Sequence, residues 1–224
     1  MLQWNLKELR EYIRAERANS DELIQILRSI DRYIQIFMFH LEGARDAMDE
    51  VIDPTDEHQV EAVKMVFGAS AHQERYYFAK VASEAHVLGA AHSARAMFDV
   101  FAFLVNGLLL NGAVCESRCN LQVVAKKLPP SPLKRELDGL ANSYWFGFVS
   151  AFVNVAKHRM LVDHSFRVGF KDPHTGIRIG SFEYKGQRYP QYRVSEFLEG
   201  VLEVKNKVVD CGDLLNKHVV KYSA

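Results

Sequence analysis

Apolar residues recur at helical spacing early in the chain, at Leu23, Ile26, Leu27, Ile30, Tyr33, Ile34, Phe37 and Leu41. Steps of three and four place them on one face, and Ser20-Asp21-Glu22 just before them supplies a cap and first-turn acids. A long helix with one apolar face is predicted there. Pro54-Thr55-Asp56-Glu57 breaks the pattern and restarts it, since proline and acids both suit a new helix start. From that point to Asn111-Gly112 the spacing predicts helix, with a bend at Gly68 or Gly89 and a stop at Asn111-Gly112.

Residues 113 to 143 read as a short helix, a break at Pro129-Pro130-Ser131-Pro132, and a second short helix carrying Leu133, Leu137 and Leu140. Asn142 or Ser143 caps the next helix. After His164 the period changes from helical to alternating. Phe166 to Phe170 and Ile177 to Tyr184 flank Asp172-Pro173-His174-Thr175-Gly176, which predicts a β-hairpin with a longer loop, and Lys185-Gly186 predicts a tighter turn to a third strand. Ser195 caps a last helix bearing Phe197, Val201, Val204, Val208 and Leu215. The expectation is a single, mostly α domain over residues 1–224. Within it, 1–53 form a candidate appended helical pair, 54–164 the bundle core, 165–194 the β-hairpin and 195–224 the last helix.

Composition narrows the class without naming an activity. The chain has 224 residues, 48% of them hydrophobic, enough to bury a core without metals or disulfides. Lys plus Arg and Asp plus Glu are both 28, so net charge gives no reason for an obligate nucleic-acid or membrane partner. Charge is nonetheless uneven. Acids concentrate between Glu42 and Glu61, whereas Lys126, Lys127, Lys134, Arg135, Lys157, Arg159, Arg167, Lys171, Arg178, Lys185, Arg188 and Arg193 lie in the second half, interleaved with Tyr184, Tyr189 and Tyr192. Such a face suits an RNA backbone with stacked bases, or is simply solvated surface. Cys115, Cys119 and Cys211 form neither a disulfide framework nor a CxxC pair. The stretch MLQWNLKELREYIRAER has no apolar signal-peptide core, and Met97 to Leu110 is too short to span a bilayer. A cytoplasmic protein with no membrane span is expected.

The densest chemistry lies in Asn154-Val155-Ala156-Lys157-His158-Arg159-Met160-Leu161-Val162-Asp163-His164. Tyr144, Phe148, Phe152 and Val155 precede or join it on one helical face, so its polar groups emerge from a partly buried segment and need partners. The residues from Ala91 to Leu104 are similar to the LRSALDHLAFxL helix of a group of bacterial proteins, and Phe152 to Val162 is similar to their NxxKHRxLV segment. On these two stretches, and over roughly residues 85 to 185, the chain resembles the HEPN superfamily. The resemblance implies a HEPN-like helical bundle with a small β-hairpin insertion before the C-terminal helix, and a homodimer. Its catalytic members are metal-independent ribonucleases marked by Arg-x4-6-His, which act as toxins, antiphage effectors or RNA-processing factors; an antitoxin or other neighbouring-gene product is then a candidate partner. Arg159 and His164 fit the spacing. Met160 departs from the pattern, because active members usually carry a polar residue after the arginine.

Metal-free RNA cleavage drives the 2′-hydroxyl onto phosphorus, which needs a proton acceptor and a fixed cation. His164 supplies the first, with an ordinary pKa of about 6.5, and Arg159 the second. Five residues apart on an ideal helix lie about 140° apart around the axis, so the two converge only if the helix ends between them or two subunits meet. The alternative is that Arg159 pairs with Asp163 at i,i+4 and His164 merely ends the helix. His92, Arg95, Asp99 and Asn106 share a stripe of an otherwise apolar helix, where Asp99 calls for a cation from Lys157, His158 or Arg159. Asn154 and His158 form a similar inward pair. Arg95, Asp99 and the Lys-His-Arg group thus either fix helix register or line a phosphate or nucleotide pocket. No metal or cofactor is expected: none of the nine histidines follows a glutamate by three, and His86 and His92 are six apart.

Two functions compete. The first is a metal-independent RNA endonuclease using Arg159 and His164, supported by Arg95, Asp99, Asn154, Lys157 and His158. The second is an inactive HEPN-like nucleotide-binding or protein-interaction module whose polar cluster is structural.

Overall fold

The computed structural model describes residues 4–49, 60–168 and 175–220. Among them are eight α-helices and, toward the carboxyl end, short antiparallel strands. Helix α1 (Leu6–Glu16) starts at Asn5, whose side chain accepts from the Glu8 N–H. Helix α2 (Ser20–Asp49) follows the predicted face, with Leu23, Leu27, Ile30, Phe37 and Leu41 buried. The restart at Pro54 lies outside the described residues. The break falls at Gly68, which has a φ of 71° between α3 (Val60–Val66) and α4 (Gln73–Leu109), and α4 runs through Gly89 without interruption. It stops where predicted: Asn111 and Gly112 adopt left-handed φ, and the Gly112 N–H donates to the Asn106 carbonyl.

A 3-10 turn (Glu116–Arg118) and α5 (Leu121–Lys127) occupy the place of the first short helix. Ser131 caps α6 (Pro132–Ala141), and Ser143 Oγ accepts from Phe146 at the start of α7 (Tyr144–His158). Strand β1 (His164–Arg167) pairs antiparallel with β2 (Gly176–Ile179), and β2 with β5 (Tyr192–Arg193). The loop predicted around Asp172 falls largely outside the described residues. One expectation changes: Ile177 to Tyr184 is not a single strand. It divides after Ile179, and β3 (Phe182–Tyr184) forms its own hairpin with β4 (Gln187–Tyr189). Gly180 donates to the Asp163 carbonyl in the same register as the β1–β2 pairs and passes so close that an added Cβ would stand 2.9 Å from the Asp163 Cβ; beyond it the chain leaves the first sheet. Lys185 and Gly186, both at positive φ, make the tight turn of the second hairpin. Helix α8 (Val194–Val219) begins just before Ser195, and Glu196 accepts from the Arg193 N–H.

The described chain falls into two compact units, to each of which α2, α4, α7 and α8 contribute. The first comprises Met1–Gln35, Ser93–Gly147 and Val201–Ala224. Its core includes Leu9, Ile13, Phe98, Phe101, Leu137 and Leu215. Trp4 anchors the amino-terminal segment: its indole N–H donates to Asn216 Oδ1 (2.9 Å), its ring meets Phe101 edge-on, and it lies against the bare Cα of Gly212. The second unit comprises Ile36–His92 and Phe148–Gly200. Phe148 is its centre, with edge contacts to Phe182, Tyr189 and Tyr192 and a tilted contact to Phe197; Phe182 stacks on Tyr189 at 5.0 Å. This aromatic cluster fixes the β3–β4 hairpin against α7, beside the Lys-His-Arg segment. Helix α4 contains a stretch apolar enough to cross a membrane by length and composition, but 56% of that stretch is buried inside the protein, as in a core helix.

Candidate functional site

Helix α7 ends at His158, so the Arg159–Asp163 pairing at helical spacing does not form. The N–H groups of Arg159 and Met160 both donate to the Val155 carbonyl, and the chain then extends toward β1. Lys157 and His158 occupy the last helical turn, where cations suit the carbonyl end of the dipole. Lys157, His158, Arg159, Met160 and Leu161 are all exposed. The Arg159 guanidinium makes a long contact (3.4 Å) to the Glu183 carbonyl and lies 5.5 Å over the Tyr184 ring. Lys185 reaches the same ring at 5.4 Å.

His164 has a different fate. It opens β1 rather than ending a helix, is 5% exposed, and places Nε2 3.2 Å from Ser83 Oγ on α4. Burial first, and the Lys80 charge second, push its pKa down to about 4, against a smaller upward pull from Asp163. The imidazole is therefore neutral at neutral pH and closed off from solvent. Arg159 and His164 are directed to different partners and do not assemble as a pair.

Each supporting residue with a bonded partner finds it nearby on its own helix. Asp99 takes its cation from Arg95 one turn earlier, at 2.6 Å, instead of from Lys157, His158 or Arg159. Spacing of i,i+4 on one helix makes that the shortest closure, and the side chains are 26% and 41% exposed, so this is a surface-type pair. Asn154 donates back to the Ser150 carbonyl (2.7 Å), so its expected pairing with the exposed His158 is replaced by a bond within the helix. Asn106 is a structural clasp, with both ends of its amide bonded to the backbone of Val114. His92 reaches solvent; the covered part of its ring, and then the Lys157 charge, lower its pKa. The tyrosine row does not form either. Tyr189 is buried and Tyr192 half-buried, both against Phe148, leaving Tyr184 beside the basic groups.

What the segment does build is a cleft of about 670 Å³. Val155, Met160, Leu161, Val162 and Phe182 give it apolar walls, and Arg159, Asp163 and Glu183 give it charge. Met160 and Leu161 are 69% and 59% exposed, an unusual amount for adjacent large apolar side chains. His164 does not line it. The sequence contained the cleft's apolar lip in Met160-Leu161-Val162, while the contribution of β3 depends on a hairpin twenty residues downstream. Ser83 carried no signal as the partner of His164, being 81 residues away. Comparison with protein-family models, with characterised proteins and with solved structures finds no match to this chain.

Proposed function

We propose that this chain is a HEPN-like, non-catalytic protein-interaction module that binds a partner segment in the Arg159 cleft. The observation that carries this reading is the separation of the Arg-His pair: His164 is buried on Ser83 while Arg159 lies on an open surface. A general base must reach the proton that it removes and work near ambient pH, and an enclosed imidazole with a pKa of about 4 meets neither condition. Charge decides between the remaining ligands. One guanidinium against the two carboxylates of Asp163 and Glu183 opposes a polyanion, whereas exposed Met160 and Leu161 suit an apolar anchor on a protein. The HEPN resemblance adds a homodimer as the expected assembly.

The test is incubation of the purified protein with a mixed RNA pool in excess chelator, beside Arg159→Ala and His164→Gln variants shown to be folded. No cleavage above the variants' background is expected. Cleavage by the wild type alone, leaving cyclic-phosphate ends, would restore the endonuclease. Site-specific photo-crosslinking from position 160 then reads the binding half: a defined protein adduct that Leu161→Asp abolishes supports the module, and adducts indifferent to that substitution count against it.

A further inference from the structure

Away from the cleft, within the second unit, His40 on α2 and His86 on α4 meet with their Nδ1 atoms 3.1 Å apart. Their ring planes are inclined by 62°, and Phe39 lies against both, at 5.3 and 5.6 Å between centroids. Each imidazole is seated on a glycine of the facing helix. A Cβ on Gly43 would stand 2.4 Å from the His86 ring, and a Cβ on Gly89 would stand 2.5 Å from the His40 ring. The arrangement is reciprocal, with the same spacing of three from histidine to glycine on both helices. Two positions without side chains are thus needed to bring two ring nitrogens face to face.

Neutral imidazoles in this relation share a single N–H between two nitrogens, and the other lone pair is directed at the same point. A metal ion can take the proton's place. With metal–nitrogen bonds of about 2.0–2.1 Å, two imidazole nitrogens stand about 3.3 Å apart at a tetrahedral ion and about 2.9 Å apart at a right-angled one. The observed 3.1 Å lies between these values. Both rings are half-buried, so water can reach the remaining coordination positions. Among the described residues no set of three or more His, Cys, Asp or Glu surrounds a common point, so the protein supplies two ligands here.

We propose that His40 and His86 form a two-imidazole site for a divalent transition ion of the zinc or copper type, bound through both Nδ1 atoms and completed by water. Imidazole nitrogen suits these ions, and two neutral rings bind without losing a net proton, because the Nδ1 proton moves to Nε2 of the same ring. The site is independent of the Arg159 cleft and of any reading of it.

Calorimetric zinc titration of the 224-residue chain at pH 7.5 tests this, with long-range nitrogen NMR of the histidine rings to locate the ion. One zinc per chain is expected, moving the His40 and His86 ring nitrogens together, with affinity weakened by at least about tenfold in His40→Gln and in His86→Gln. His92→Gln should bind like the wild type. Gly43→Ala provides a second arm that keeps both ligands: by displacing the His86 ring it should weaken zinc while leaving the helical circular-dichroism signal intact. Absence of stoichiometric zinc at micromolar protein, equal binding by all folded variants, or shifts confined to other histidines would each overturn the proposal and leave the pair a hydrogen-bonded packing contact.

Discussion

His164 Nε2 lies 3.2 Å from Ser83 Oγ, and both side chains are buried, at 5% and 0% exposure. The contact ties the first residue of the β region to the first third of α4 and makes the imidazole a structural group. It also makes stability depend on pH. The folded pKa, about 4, lies below the ordinary histidine value of 6.5. Between those values the unfolded chain binds a proton that the folded chain refuses, so stability falls as pH falls from about 6.5 to about 4 and then levels. The full span corresponds to about 3 kcal/mol. Urea denaturation at pH 7.5, 6 and 5 should show a falling midpoint in the wild type and a shallower fall in His164→Gln. Parallel curves for the two proteins would rule out this assignment.

Phe148 and Arg159 should separate stability from surface function. Phe148→Ala removes the centre of the cluster that seats the β3–β4 hairpin and should cost about 3–5 kcal/mol. Arg159→Ala touches an exposed side chain with a long hydrogen bond and should change stability by no more than about 0.5 kcal/mol. Thermal unfolding of the two variants checks both, and a large loss in Arg159→Ala would mean that the guanidinium holds the hairpin in place.

Asp99→Asn should be mild. Its partner Arg95 is on the same helix and both side chains are partly exposed, so the expected change is below about 1 kcal/mol. A loss of several kcal/mol in chemical denaturation would instead indicate a buried charge network of the kind expected from sequence.

Gly212→Ala should destabilise by about 1–3 kcal/mol, because the new Cβ would stand 2.2 Å from the Trp4 ring. Tryptophan emission should shift to the red as the indole leaves its seat, while the α7 and β3–β4 region keeps its hydrogen-exchange protection. An unshifted spectrum would show that the ring accommodates a methyl group.

Local rules in the sequence account for the parts of the structure that depend on near neighbours. The apolar stripe of α2, the Asn111-Gly112 stop, the Ser143 cap and the Lys185-Gly186 turn each involve residues within a few positions. The division of the predicted strand was not legible, because it depends on where pairing with β1 stops and pairing with β4 begins, which alternation within the run does not carry. The same limit governs the site. Arg95 and Asp99 were visibly four apart, yet an apolar helix suggested a cation from elsewhere. The Ser83 contact of His164 has no local pattern behind it, and the strand expected from Phe166 already begins at His164.

The seat of Trp4 bears on the order in which the protein is made. The indole hydrogen-bonds to Asn216 and lies on Gly212, both in the final stretch of α8. A ribosome must therefore deliver more than two hundred further residues before this anchor can close. Until then α1 (Leu6–Glu16) has an apolar face without its final cover, and a helix of eleven residues is too short to persist well alone in water. The Trp4 segment thus emerges long before it can be locked, which exposes it to chaperones and proteases in the interval.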